Sequence, residues 1–199
     1  MSKLSLNDIV DLRAYERERD EFRQRIIELK KRRRIGVGPI VTVVFENRDT
    51  IRFQIQEMAR AERMLRDEQI QTELDVYNAL IPDPGELSAT LFIELTSKDA
   101  LMDWLPKLVG IERSVELIIG EGEGSDVVSS IPEASHDAQL TREEITASVH
   151  YIRFRLSTGQ IERFAAGPVV LAVNHPAYAE GSRLSDETRA TLLDDLHGE

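Results

Sequence analysis

The chain contains no cysteine. That excludes disulfides, thiolate-bound zinc, a cysteine nucleophile and an iron–sulfur cluster held by its own thiolates. No apolar run is long enough to cross a bilayer, and "MSKLSLNDIV" lacks the apolar stretch of a signal peptide. A cytoplasmic location away from membranes is therefore expected. Basic charge is in deficit, with 25 Lys and Arg against 36 Asp and Glu and a net charge of −11. Such a chain repels polyanions at long range, which argues against nucleic-acid binding. Familiar catalytic motifs are missing as well. "GVGP" (36–39) lacks the lysine and hydroxyl of a phosphate loop, and neither GxSxG nor HExxH occurs. The paired Glu-x-x-His of di-iron bundles is also absent. There is no internal repeat and no low-complexity block.

What is present suits a folded domain, since 41% of the 199 residues are hydrophobic and 31% charged. Ser5 and Asp8 read as the two members of a capping box for a first helix. A longer helix is expected from about Ala14 to Arg34, with Tyr15, Phe22, Ile26 and Leu29 as a broken apolar stripe and "GVGP" as its stop. The pattern divides the chain into an N-terminal helical arm (1–38) and an α+β unit (39–199) that together form one structural body.

"IVTVVF" reads as a buried strand, followed by a helix that Asp49 is placed to cap. Ile51, Ile55, Met58, Glu62 and Leu65 fall on one stripe of that helix. A helix over about Glu68 to Ala79 comes next, closed by the turn residues of "LIPDPGE". "LSATLFIEL" reads as a strand and "KDALMDWLPKLVG" as a helical connection, with Trp104 a core or core-edge anchor. "SVELIIG" and "DVVSSI" are placed to form a hairpin across "EGEGS". Pro132 to Glu144 reads as a mobile polar loop. "ASVHYIRFRL" and "PVVLAVNHP" are strands around a short helix at "GQIERFAA", and Ser185 caps a last helix from about Asp186 to Leu196. Strands in runs with short connections predict an α+β fold, with a mostly antiparallel sheet and helices packed on it.

Three groups of residues carry candidate chemistry. Strand alternation puts His150 on a face with Ile152, Phe154 and Leu156, and His175 on a face with Val169, Leu171 and Val173. If the two strands were antiparallel neighbours with Leu156 opposite Val169, the histidines would oppose each other with Cβ atoms about 5 Å apart. With Glu94 and Glu62 as carboxylates, such a set suits iron, zinc or manganese. The competing reading is that each histidine closes an edge of the core through hydrogen bonds. His136 and His197 read as solvent-exposed.

The second group is "LKKRRR". Lys30, Lys31, Arg32, Arg33 and Arg34 form either a docking patch for an acidic partner or the cationic end of a helix. The third is "FENRDTIRFQIQEMARAERML" (45–65), in which Arg48, Arg52, Glu57 and Glu62 read as a structural ion-pair lock or as a charged pocket. Glu62 is the charge that falls on the apolar stripe. Tyr151, Arg153 and Arg155 share the face opposite His150, which reads as a solvated sheet face.

Stretches spread over nearly the whole chain, among them "DLRAYERERDEFRQRIIELKKRRR", "VGPIVTVVFENRDTIRFQIQEMARAE", "ELDVYNALIPDPGELSATLFIEL", "SVHYIRFRL" and "NHPAY", resemble an uncharacterised bacterial domain-of-unknown-function family. The resemblance implies a gene neighbourhood shared with rubrerythrin-like proteins and iron–sulfur oxidoreductase subunits. It therefore implies an accessory or scaffold role in peroxide defence or electron transfer, and it brings no catalytic residues. A small metalloprotein or metalloenzyme using His150, His175 and nearby carboxylates is the alternative.

Overall fold

The stretch "VTVVFE" is buried at every position because strand β2 (Val41–Glu46) has a packed layer on each face. In the computed structural model, which describes residues 2–133 and 145–198, β2 lies inside an antiparallel sheet. The strand order is β1 (Arg34–Val37), β2, β3 (Glu86–Ile93), β7 (Val149–Arg155), β6 (Ile131–Pro132). A second antiparallel sheet has the order β5 (Asp126–Ser129), β4 (Val115–Ile119), β8 (Val169–His175), β9 (Tyr178–Arg183). The predicted α+β class holds, with two sheets where one was expected. No described helix is long and apolar enough to cross a membrane.

The main core fills the space between the sheets. Val43, Phe45, Leu87, Leu91, Ile152 and Phe154 enter it from the first sheet, and Leu117, Ile119, Leu171 and Val173 from the second. Each side chain of this kind contributes about 1.5–3 kcal/mol when taken from water. Helix α4 (Lys98–Trp104) sets Trp104 edge-on to Tyr178 at 6.3 Å, at the margin of this core as expected. Helices α5 (Thr158–Ala166) and α6 (Asp186–His197) add Phe164, Leu192 and Leu196.

The other face of the first sheet is covered by α1 (Leu12–Lys31), α2 (Arg48–Ala61) and α3 (Asp67–Tyr77). Phe22 of α1 meets Phe53 of α2 edge-on at 5.6 Å. Ile51 and Ile55 of α2 pack with Leu74, Leu80 and Ile81, and Leu4 closes that cluster. The N-terminal segment is strapped down by reciprocal bonds: Leu4 N–H donates to Asn78 Oδ1 (2.8 Å), and Asn78 Nδ2 donates to the Leu4 carbonyl (2.9 Å). The face of β7 is therefore covered at Tyr151 and Arg153, which corrects the expectation of solvent there, while Arg155 at the strand end is exposed as expected. Tyr151 packs on the helical cluster, and burial first, then Tyr77 and Glu46, push its phenol up to about 12.

The element ends depart from the sequence reading for identifiable reasons. Asp11 caps α1 by accepting from Ala14 N–H, and the segment capped by Ser5 is a single 3-10 turn, Leu6–Asp8. "RIGV" leaves the helix to become β1, because Ile35 and Val37 alternate into the core while Arg34 and Gly36 face out. The hairpin β1–β2 thus turns across residue 38, so the arm expected over 1–38 supplies one strand of the sheet. Asn47, not Asp49, caps α2: its Oδ1 accepts from Thr50 N–H while Thr50 Oγ1 accepts from Asn47 N–H. The hairpin β4–β5 and the cap of α6 by Ser185 form as expected. Strand β9 was not foreseen, since "YAEGSR" buries only Tyr178. The polar loop expected from Pro132 opens as strand β6; from 134 to 144, His136 included, it lies outside the described residues.

Gly38 is the turn residue whose conformation is forced. Its φ is +68°, and a Cβ there would collide with the Tyr178 hydroxyl and the Glu180 side chain. That hydroxyl donates to the Val37 carbonyl at 2.6 Å, tying the edge of the first sheet to the edge of the second.

Candidate functional site

The two strand histidines occupy different sheets. Strand β7 pairs with β3 and β6, whereas β8 pairs with β4 and β9, so the direct pairing of His150 with His175 does not form. The assumed register fails because each strand finds its hydrogen-bond partners within its own sheet. His150 faces the sandwich opposite Leu91 and is 2% exposed. Its Nε2 lies 2.9 Å from both Thr146 Oγ1 and the Ala147 carbonyl. His175 Nε2 lies 3.1 Å from the Val109 carbonyl, and its Nδ1 accepts from Ala177 N–H.

The carboxylates expected beside them are elsewhere. Glu94 accepts from Thr42 Oγ1 (2.5 Å) and Arg34 Nη2 (2.6 Å), and these bonds hold its carboxyl below the usual range. Glu62 sits at the C-cap of α2 and is exposed, because the helix ends before the predicted stripe reaches it. Its charge is felt by Glu73, whose carboxyl is raised first by burial and then by Glu62. Among the described residues no three His, Asp or Glu side chains are grouped to hold a metal ion.

A carboxylate that the sequence reading did not single out stands beside His150. Glu112, in the 3-10 turn Ile111–Arg113 before β4, is 2% exposed. Among the described residues its Oε2 has no hydrogen-bond partner, and it lies 4.0 Å from His150 Nδ1. Arg113 Nε stands 3.8 Å from its other oxygen. No ligand-spacing motif links positions 112 and 150; the contact exists only once the two sheets face each other.

The basic run is largely neutralised. Lys31 pairs with Glu28, Arg32 with Glu187, Arg33 with Asp195 and Arg34 with Glu94. Arg33 is buried, so it cannot serve in a surface patch. The ion-pair lock expected in residues 45–65 is present, but its centre is Glu57. Arg19 Nε and Nη2 each donate to it at 2.8 Å, and the Tyr15 hydroxyl donates at 2.6 Å. The Arg19 bonds hold the Glu57 carboxyl down. Nearby, Arg48 pairs with Asp8 and Arg60 with Glu16, so α2 is laced to the segments before it.

The surface feature that these pairings leave unexplained is the elbow between α2 and α3. Met64 N–H donates to the Ala59 carbonyl (2.9 Å) and Arg63 N–H to the Arg60 carbonyl (3.3 Å), the double bond pattern of a helix end that normally uses glycine. Arg63 adopts φ +53°, the left-handed region that costs a side-chain-bearing residue about 1–2 kcal/mol. This turn buries Met64 and throws Leu65 outward, 81% exposed. Beneath it is a cleft of about 190 Å³ lined by Leu6, Ile9, Val10, Met64, Leu65 and Ile70. The predicted stripe had carried Leu65 onto the covered face of α2; with no glycine at 63, nothing in the sequence marked the helix end.

Comparison with known proteins agrees with this architecture at full length. A crystal structure from Burkholderia pseudomallei K96243, described as a novel protein of unknown function, is 34% identical and superposes with a TM-score of 0.88. The match covers 98% of this chain and 100% of that one. No curated protein matches the chain. The family model described as protein of unknown function (DUF3501) matches residues 3–196, and the chain belongs to that family.

Proposed function

We propose that the protein is an accessory protein that docks a redox partner, an iron–sulfur oxidoreductase subunit or a rubrerythrin-like protein, in cytoplasmic peroxide defence or electron transfer. One observation carries the docking role: Leu65 stands 81% exposed on a left-handed elbow above a cleft walled by Leu6, Ile9, Val10, Met64 and Ile70. Backbone strain at Arg63 costs the isolated protein stability, and a partner that covers Leu65 gains by taking its apolar surface out of water. The partner class comes from the gene neighbourhood that the family resemblance implies. Affinity capture from cell extract tests the reading. The wild-type chain is expected to retain an iron-containing partner, and Leu65→Asp to lose at least tenfold of it while melting at an unchanged temperature. Equal recovery by the two proteins, or no partner for either, overturns it.

A second reading, a small metalloprotein, draws support from the buried Glu112 oxygen that lacks a donor beside His150. It keeps His150 and puts Glu112 in place of His175, Glu94 and Glu62. A carboxylate and an imidazole suit iron, zinc or manganese. Metal analysis of freshly purified protein is expected to find one of these at near-stoichiometric level and to lose it in Glu112→Gln. Metal-free wild-type protein removes this reading.

A further inference from the structure

We infer that the elbow cleft seats an amphipathic helix of the partner, one that presents apolar anchors flanked by lysine or arginine; this rests on the docking role proposed above. The cleft by itself is small. Its volume of about 190 Å³ lies below the ~300–1,000 Å³ of drug-sized sites, and its lining of Leu6, Ile9, Val10, Met64 and Ile70 fits inserted side chains. It continues past Leu6 and Asp67 into a shallower hollow along α3. That hollow is lined by Glu68, Gln71, Thr72 and Asp75, spaced i, i+3, i+4 and i+7, which is one face of a helix over two turns. A notch with apolar side chains on its walls and charges on its rim, running into a helical face, is the shape that accepts an amphipathic helix laid alongside.

Charge selects the occupant. Asp11, Asp67, Glu68 and Asp75 line the two hollows, with Arg66 the one basic residue in either lining. None of these four carboxylates forms an ion pair among the described residues, although most charges on α1 and α2 that border the helical layer do. A partner with acidic flanks meets like charge at this rim. One with basic flanks gains charge complementarity and is steered inward by the net charge of −11. A second copy of this chain carries the same acidic rim, so two such clefts repel.

A photo-crosslinking amino acid placed at Gln71, with a second protein labelled at Asp20 on the outer side of α1, tests the inference in cells. The residue at Gln71 is expected to capture a segment whose sequence is a helix-period apolar stripe bordered by Lys or Arg. Asp67→Lys combined with Glu68→Lys is expected to weaken that capture at least tenfold, and raised salt to weaken it in the wild type. A product joined to a second copy of the chain, or to an acidic segment, overturns the inference. Capture from Asp20 but not from Gln71 overturns it while leaving an accessory role standing. Failure of affinity capture for the unlabelled wild-type chain removes both.

Discussion

Arg33 and Asp195 meet in a two-pronged ion pair, with Nη1 to Oδ2 at 2.5 Å and Nη2 to Oδ1 at 2.8 Å. Each side chain is 3% exposed, and 162 positions separate them in the chain. Burial raises the Asp195 carboxyl even though Arg33 opposes that shift, so desolvation outweighs the pairing. Removing one partner strands the other charge in the core. Arg33→Met and Asp195→Ala are each expected to cost about 3–5 kcal/mol, and the double variant far less than their sum. Urea unfolding of the four proteins checks this, and additive losses would contradict it.

Glu57 and Glu62 belong to the same charged stretch but have opposite surroundings. Loss of the Arg19 and Tyr15 bonds in Glu57→Ala is expected to cost about 1.5–3 kcal/mol, the range for hydrogen bonds to charged groups. Exposed Glu62→Gln is expected to change stability by less than about 0.5 kcal/mol. Comparable effects in a denaturant titration would remove Glu57 from the centre of the lock.

Gly38→Ala combines a left-handed backbone with a collision against Tyr178 and Glu180, and a loss of about 1–3 kcal/mol is expected. Gly36→Ala is the control: no atom lies within 4 Å of its added Cβ, and its φ is not positive. Two variants with equal melting temperatures would show that the turn yields.

Acid should expose the contribution of Asp8. The Ser5 backbone bond and Arg48 lower its carboxyl from 3.8 to about 2. A depressed folded-state value means that Asp8 stabilises the protein above the unfolded value. That contribution is lost as pH falls from about 4 through about 2. Asp8→Asn is expected to be less stable than wild type at neutral pH and to converge on it below pH 2. A difference that persists unchanged through that window would show that the carboxylate charge is not its source.

The fold class, the β4–β5 hairpin and the last helix were legible because each rests on local signals: alternation, a glycine-rich turn and the Ser185 cap. The split into two sheets was not, since the pattern of His150, Ile152 and Phe154 says which face is buried and not which strand lies alongside. The same limit hid Glu112, whose neighbour His150 is brought near only by tertiary packing. Leu65 was assigned to the wrong face for a local reason: Arg63 occupies a conformation that sequence reading reserves for glycine. The family resemblance was supported by long stretches, and the matched residues 3–196 bear it out.

The interleaving of the two sheets has a consequence for biosynthesis. Strands β1 to β3 belong to the first sheet, β4 and β5 to the second, β6 and β7 to the first again, and β8 and β9 to the second. A nascent chain emerging from the ribosome through β7 holds a completed first sheet whose inner apolar face still lacks β8. Only when residues 169–183 and then Leu192 and Leu196 have been delivered can that face be closed. Such non-local closure slows folding and prolongs the exposure of sticky surface, so translation pauses or chaperone supply late in synthesis should govern the yield of native protein.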